Sequence, residues 1–396
     1  MIELLKPFTS ARQFVAAVFS WGLPLAVALG AYVAVVFPSV EGTAVAREGA
    51  RALHHAGARP VWFLIGLLII LAVGLSVSSR WIYQVLEGIR WPRSVRVRRV
   101  KIHTLQWEVL TAESGLQEAK SRLEYAEQEL ASAGDDDPSA SVATAITEKQ
   151  KAEKQLKDAE EILAAAKEKL RNRPLGAMRR DRPPLFTLNS ISDYPANSEW
   201  IRATRLGNRI HAFETYGVHR YALDPLALWY ELLATAPKDL ADNVQDARQG
   251  VELWVGAWSS AVLLGVASLA TEILAVLAPS GHALITPIVV AAVCCVAASI
   301  AYRAATASVE EWRFAVTALV NLGRQPLARA YGLDMPTSFD EEKLMWEALG
   351  AYILYGSDAY ADRLDEYRTR SSPATLTVPS DDREAPIRVK GEPPNR

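Results

Sequence analysis

Residues 90–182 read RWPRSVRVRRVKIHTLQWEVLTAESGLQEAKSRLEYAEQELASAGDDDPSASVATAITEKQKAEKQLKDAEEILAAAKEKLRNRPLGAMRRDR. Within them Leu105, Val109, Ala112, Leu116, Ala119, Leu123, Ala126, Leu130 and Ala133 recur at alternating spacings of four and three, the seam of a coiled coil. Val142, Ala145, Lys149, Ala152, Leu156, Ala159, Leu163, Ala166 and Leu170 repeat the alternation, with Lys149 its polar exception. Leucine recurs at one core position and alanine at the other, so two such helices can approach closely. Between the arms, Gly134 stops the first helix, and Asp137 with Pro138 starts the second. The pattern predicts an antiparallel helical hairpin with arms at 103–133 and 139–171, each roughly 40 Å long at the α-helical rise.

On both sides of this stretch the chain turns strongly apolar. Half of its 396 residues are hydrophobic, and long runs carry no charge. Phe14 to Phe37 and Val61 to Ser79 are uncharged, and a helix needs about 20 such residues to cross the hydrocarbon core. A second pair follows: Leu253 to Thr271, then Ile273 to Tyr302, broken by Pro279, Gly281 and Pro287 into a tight turn and a separate helix. The expected fold is an all-α membrane protein with four transmembrane helices in two pairs, a cytoplasmic coiled-coil hairpin and a small cytoplasmic helical cluster. Its divisions are an N-terminus at 1–13, spans 1 and 2 within 14–82, the basic-flanked hairpin at 83–182 and the cluster at 183–250. Spans 3 and 4 lie within 251–303, C-terminal helices at 304–370, and a Pro-rich tail, expected to be disordered, at 371–396.

Orientation follows from lysine and arginine beside the spans. Arg80, Arg90, Arg93, Arg96, Arg98, Arg99 and Lys101 follow the second run, whereas the loop from Pro38 to Pro60 has three lysines or arginines and the turn from Ala278 to Ala283 none. Both termini and the hairpin are therefore expected in the cytoplasm. A cleavable secretory signal is the competing reading of the first run, because Ala44-Val45-Ala46 resembles a cleavage site, but the run is longer than a signal's apolar region. Arg90, Arg93, Arg96, Arg98, Arg99 and Lys101 are candidates for contact with anionic lipid headgroups, at about 1 kcal/mol each. The aspartates of the tip are repelled by the same surface, so the hairpin stands away from it. Immediately after a span, a basic segment points to lipid rather than to nucleic acid. Glu272 is the acid within the apolar runs: either an intramembrane proton or cation site, or a carboxylate near the outer interface that reaches water. The only cysteines, Cys294 and Cys295, are adjacent in one helix, so neither a disulfide framework nor a zinc spacing is present.

In the 183–250 cluster, Asn197 or Ser198 caps a helix expected to run to about Tyr216 with Trp200, Ala203, Leu206, Ile210 and Phe213 on one face. Asp224-Pro225 starts a second helix, and Pro237 a third that leads into the third span. Beyond Arg303 the helix continues with Val309, Trp312, Val316 and Leu319 on one face. Ser338 and Glu341 form a capping box ahead of a helix whose apolar face is Leu344, Ala348, Leu349 and Tyr352.

The string Ala203-Thr204-Arg205-Leu206-Gly207-Asn208, then Glu214, Tyr216-Gly217 and Arg220-Tyr221-Ala222-Leu223-Asp224-Pro225, resembles a signature of a broad group of uncharacterised bacterial multi-pass membrane proteins. Ala330-Tyr331-Gly332-Leu333-Asp334-Met335-Pro336-Thr337 is similar to their C-terminal segment. The resemblance covers roughly residues 180 to 355 and implies a bacterial inner membrane; it carries no activity.

No phosphate loop, dinucleotide fingerprint or nucleophile elbow is present, so no enzyme activity and no cofactor are expected. His211 and Glu214 share a helix face, but His-x-x-Glu alone lacks the ligands of a closed metal site. Arg205, Glu214, Arg220 and Asp224 are expected to brace the cluster as one polar network. The functional expectation is a membrane-anchored scaffold or sensor whose hairpin docks a protein partner, with a homo-oligomer as one form. The alternative is an oligomeric channel or transporter.

Overall fold

The computed structural model describes residues 18–36, 59–132, 140–172, 190–277, 285–356 and 358–368. The hairpin tip, the 278–284 turn, the linker at 173–189 and the C-terminal tail lie outside them. Among the described residues the regular structure is helical, apart from one bridge between Leu333 and Arg368.

Helix α1 occupies 18–36, with π-helical turns at Val18–Gly22 and Tyr32–Val36 around an α-helical Leu23–Ala31. Helices α2 (Arg59–Val77) and α3 (Ser79–Leu86) meet at a 58° bend. The bend falls at Ser78-Ser79, a common kink site, where the sequence changes from uniformly apolar to amphipathic. It directs Ile82, Tyr83 and Leu86 into the core. Helix α4 runs Arg93–Ser132 and α5 Ala140–Arg171. After 3₁₀ turns at Ile191–Asp193 and Ser198–Trp200 come the short helices α6 (Arg205–Glu214), α7 (Tyr216–Tyr221) and α8 (Trp229–Thr235). Helices α9 (Lys238–Leu277) and α10 (Ile285–Ala330) are the two longest apolar elements, and α11 (Phe339–Tyr355) and α12 (Asp358–Asp365) close the fold.

Among the described residues three helices are long and apolar enough to cross a membrane, and the bent α2–α3 pair makes up to four. Helices α9 and α10 expose Val262, Val266, Leu269, Ile273, Leu274, Ile285, Val289, Val293, Val296 and Ile300. Neither helix ends with its apolar part: each continues for several turns as an amphipathic helix. On those extensions Val244, Ala247, Val251 and Val255 of α9 meet Val309, Trp312, Val316 and Leu319 of α10, with Leu206, Ile210 and Phe213 of α6 and Trp21 of α1. The 3.6-residue period explains this: each helix carries a stripe too wide to leave in water. A second core joins Leu223, Leu228 and Leu232 to Val320 and Leu327 of α10 and to Met345, Trp346 and Leu349 of α11.

Helices α4 and α5 pack antiparallel. Lys169 lies 3.3 Å from Glu108, Lys167 3.1 Å from Glu113 and Lys149 3.2 Å from Glu127. Lys149, the polar seam residue, thus carries its charge out of the seam to a partner on the other arm. Every described seam position is buried or half-buried, while most of the positions between them toward the tip are exposed. Replacing Leu163, a 9 % exposed residue packed among Val109, Ala112 and Ala166, by alanine should cost about 2–5 kcal/mol. Thermal melting by circular dichroism would show an early helix-losing transition. A single unshifted melt would contradict the packing.

Three expectations need correction. Helix α4 begins at Arg93, not at 103, because the Pro92 carbonyl already accepts the Arg96 N–H at 2.9 Å; the basic segment is part of the arm. The helix expected from Asn197 starts only at Arg205. Asn197 caps a 3₁₀ turn, and the chain is extended at Ile201 and at Thr204, which caps α6. On α11 Leu344 and Tyr352 are exposed; the buried stripe is Glu342, Met345, Trp346 and Leu349, because the partner surface lies one residue further round.

Candidate functional site at the hairpin base

Helix α3 ends at a tight turn before the hairpin. Gly88 takes a left-handed φ of 78°, a conformation costly for other residues, and the turn ties itself down. The Trp91 indole N–H donates to the Val85 carbonyl at 2.8 Å, Arg96 to the Ile89 carbonyl at 2.9 Å and Arg90 to Gln84 at 2.6 Å. Arg99 stacks 5.9 Å from the Trp91 ring. Three of the six lipid-contact candidates are therefore engaged within the protein, while Arg93, Arg98 and Lys101 stay exposed.

The 201–208 segment docks on this turn. The Thr204 hydroxyl accepts from the Gly207 N–H at 3.1 Å, capping α6, and donates to the Leu86 carbonyl at 2.7 Å. The Asn208 side chain accepts from the Arg202 N–H at 2.7 Å and donates to the carbonyls of Arg202 and Thr204. Gly207 lies so close to the turn that a Cβ there would stand 2.8 Å from the Glu87 carbonyl oxygen. The Ala203–Asn208 string is thus a docking element, in which the Thr204 and Asn208 side chains bond backbone groups.

Helix α4 carries a second buried face on nearly the opposite side from its seam. His103 bonds the Tyr194 hydroxyl at 2.9 Å, and the Trp107 indole donates to the Pro195 carbonyl at 3.1 Å. Leu110 packs with Tyr194 and Ile201. Arg209 of α6 reaches Asp193 at 2.9 Å and the Thr306 carbonyl of α10 at 2.6 Å. Hairpin, loop, α6 and α10 are thereby joined at one place.

Two carboxylates are buried in this joint. Glu87 is 2 % exposed and Glu214 4 %, and among the described residues the Oε1 atom of each has no hydrogen-bond partner. Burial first, then the Glu214 charge, push the Glu87 carboxyl up to about 8, with Arg202 pulling the other way. His211 Nδ1 lies 3.2 Å from Glu214 Oε2, under the edge of Trp200. Burial, followed by the charges of Arg99 and Arg205, depresses His103 to about 3, so it is neutral at physiological pH.

The residues expected to form one network separate. Glu214 and Arg205 belong to the joint. Arg220 is exposed, and one oxygen of Asp224 accepts from the N–H groups of Leu226 and Ala227 at 2.9 and 3.2 Å, capping the turn before α8. Asp224 follows the left-handed Ala222, and its carboxylate serves the local backbone before any distant arginine. Glu272, expected to reach water, is 9 % exposed, beside the 2.7 Å bond between Tyr32 and Thr271. Glu87 drew no notice in the sequence, although it is the only acid between Glu48 and Glu108; a lone acid in a basic run was the available signal. Among the described residues no group of three or more His, Cys, Asp or Glu side chains is arranged to hold a metal.

The arrangement can hold or release a proton at Glu87. No protein-family model, no curated protein and no solved structure matches the chain.

Proposed function

We propose that the chain is an integral protein of a bacterial inner membrane, with four spans in two pairs and both termini in the cytoplasm, acting as a membrane-anchored scaffold or sensor through its coiled-coil hairpin. The observation that carries this reading is the hairpin's attachment: two long helices packed on each other and fixed at one end to the 191–201 loop through His103, Trp107 and Leu110. A rigid arm so anchored suits the capture of a protein partner or of a second copy. Tyr125 and Ile162, 70 % and 61 % exposed on the arms, are apolar surface that such a partner would cover. The apolar flanks of α9 and α10 support embedding in lipid. Arg93, Arg98 and Lys101 suit anionic headgroups beside the span, and the sequence resemblance supports the bacterial assignment.

Deletion of residues 105–170 from the full chain tests the reading. The expected result is a protein still extracted with the membrane but released from its native complex on blue-native gels. A complex of unchanged size would remove the hairpin from the function.

A further inference from the structure

We propose that Glu87 and Glu214 form a proton-binding site at the joint between α3 and the hairpin, and that loss of its proton loosens the docking of α6 on the 86–91 turn. The proposal is independent of whether the hairpin has a partner.

The geometry comes first. Glu87 occupies the turn that links α3 to the hairpin, and its backbone is the surface on which Gly207 rests. Glu214 comes from the far end of the docked helix. Both carboxylates are buried on the two sides of the contact that holds the hairpin base, each with an oxygen that finds no donor among the described residues, and the Glu214 charge acts on Glu87. Keeping both ionised there would place two like charges in a site of low dielectric, a costly state. One proton relieves it, supplying an O–H donor and removing the repulsion, and Glu87 is its holder because Glu214 already has His211.

The surrounding charges do not replace that proton. From α6, Glu214 and His211 face the site, and Arg202 faces it from the loop ahead of α6. From α3 comes Tyr83, itself acted on by Arg248 and Glu252 of α9. Arg205, at the start of α6, acts on His103. Arg202 opposes the shift at Glu87, and its effect is smaller than that of burial or of Glu214.

The direction of the pH effect follows. The Glu87 carboxyl lies at about 8 in the folded chain against 4.5 for the free group, so the folded state binds the proton more tightly than the unfolded one. Its stabilisation is complete below the unfolded value and is lost as pH rises through about 8. Mild alkalinity thus releases the joint, and acidification secures it.

The test uses the full chain in lipid nanodiscs, read by infrared difference spectroscopy and by thermal unfolding across pH. The wild type is expected to show a carboxylic-acid C=O band that disappears with a midpoint near 8, and an unfolding temperature that falls across the same range. Glu87→Gln should lack the band and lose that pH dependence, and Glu214→Gln should move the midpoint to lower pH. His211→Ala should keep the band, which separates the carboxylate from the imidazole. An unchanged band in Glu87→Gln, or a wild type with no such band above about pH 6, would overturn the proposal. The wild-type and Glu214→Gln arms decide the matter even if Glu87→Gln fails to fold. A transition that follows sodium or potassium concentration at fixed pH would assign the site to a metal cation and overturn it as well.

Discussion

Arg324→Met is expected to cost about 3 kcal/mol, the low end for breaking a buried ion pair, and to free the C-terminal helices. Arg324 Nη1 lies 2.5 and 2.7 Å from the two oxygens of Glu342, whose side chain is 6 % exposed. The Trp346 indole donates to the same carboxylate at 3.1 Å, and the guanidinium sits 4.2 Å over the ring of Tyr221. Tyr221 in turn donates to Asn321 at 2.9 Å. One arginine of α10 therefore joins α7 and α11, and methionine would keep the stem but strand the carboxylate. A melt of the full chain in detergent should fall by several degrees, and proteolysis should cut within α11 first. Adding Glu342→Gln to the variant removes the stranded charge and should restore much of the loss. An unshifted melt in Arg324→Met would mean that the pair contributes nothing.

Gly207→Val is expected to open the hairpin joint. A Cβ at this position would lie 2.8 Å from the Glu87 carbonyl oxygen, 3.0 Å from the Glu87 Cα and 3.0 Å from the Arg202 Cβ. Two of the three atoms are backbone, so the strain has no flexible side chain to absorb it, and overpacking of this kind costs about 1–3 kcal/mol. The first contact to separate should be the Thr204–Leu86 bond, followed by water entry to Glu87. Amide hydrogen exchange across 84–91 and 201–208 should accelerate, while the 116–126 part of the hairpin keeps its protection. Gly115→Ala is the control. It has open space around its Cβ, and with alanine's helix propensity it should be neutral or stabilising. Equal exchange in Gly207→Val and the wild type would refute the close approach.

These two positions also separate what a sequence reader could and could not find. Arg324 is one basic residue of α10 among several, and nothing in its neighbourhood announces Glu342 as its partner. Gly207 reads as an ordinary residue of an amphipathic stretch; only the arrival of Glu87, far back in the chain, makes its missing side chain necessary. Likewise the pairing of His103 with Tyr194 joins residues 91 apart, across a hairpin whose own heptads give no hint of a second buried face. That face had a faint signal in Ile102, Gln106 and Leu110 at helical spacing, masked by the stronger seam.

What the sequence determined by itself is local and periodic. Uncharged runs long enough to cross a bilayer mark α1, α9 and α10, and the alternation of four and three names the residues that line the contact between α4 and α5. Such patterns are legible because each repeats one physical requirement, burial of an apolar stripe, at the pitch of the helix. The tertiary structure alone decided where the hairpin is clamped, that Asp224 spends its carboxylate on a cap while Arg220 faces water, and that Glu87 and Glu214 are both buried. Each of these depends on a single contact between segments distant in sequence. The free energy of burying an ionisable group depends on what surrounds it, and for Glu87 the surroundings come from α6, more than a hundred residues further along the chain.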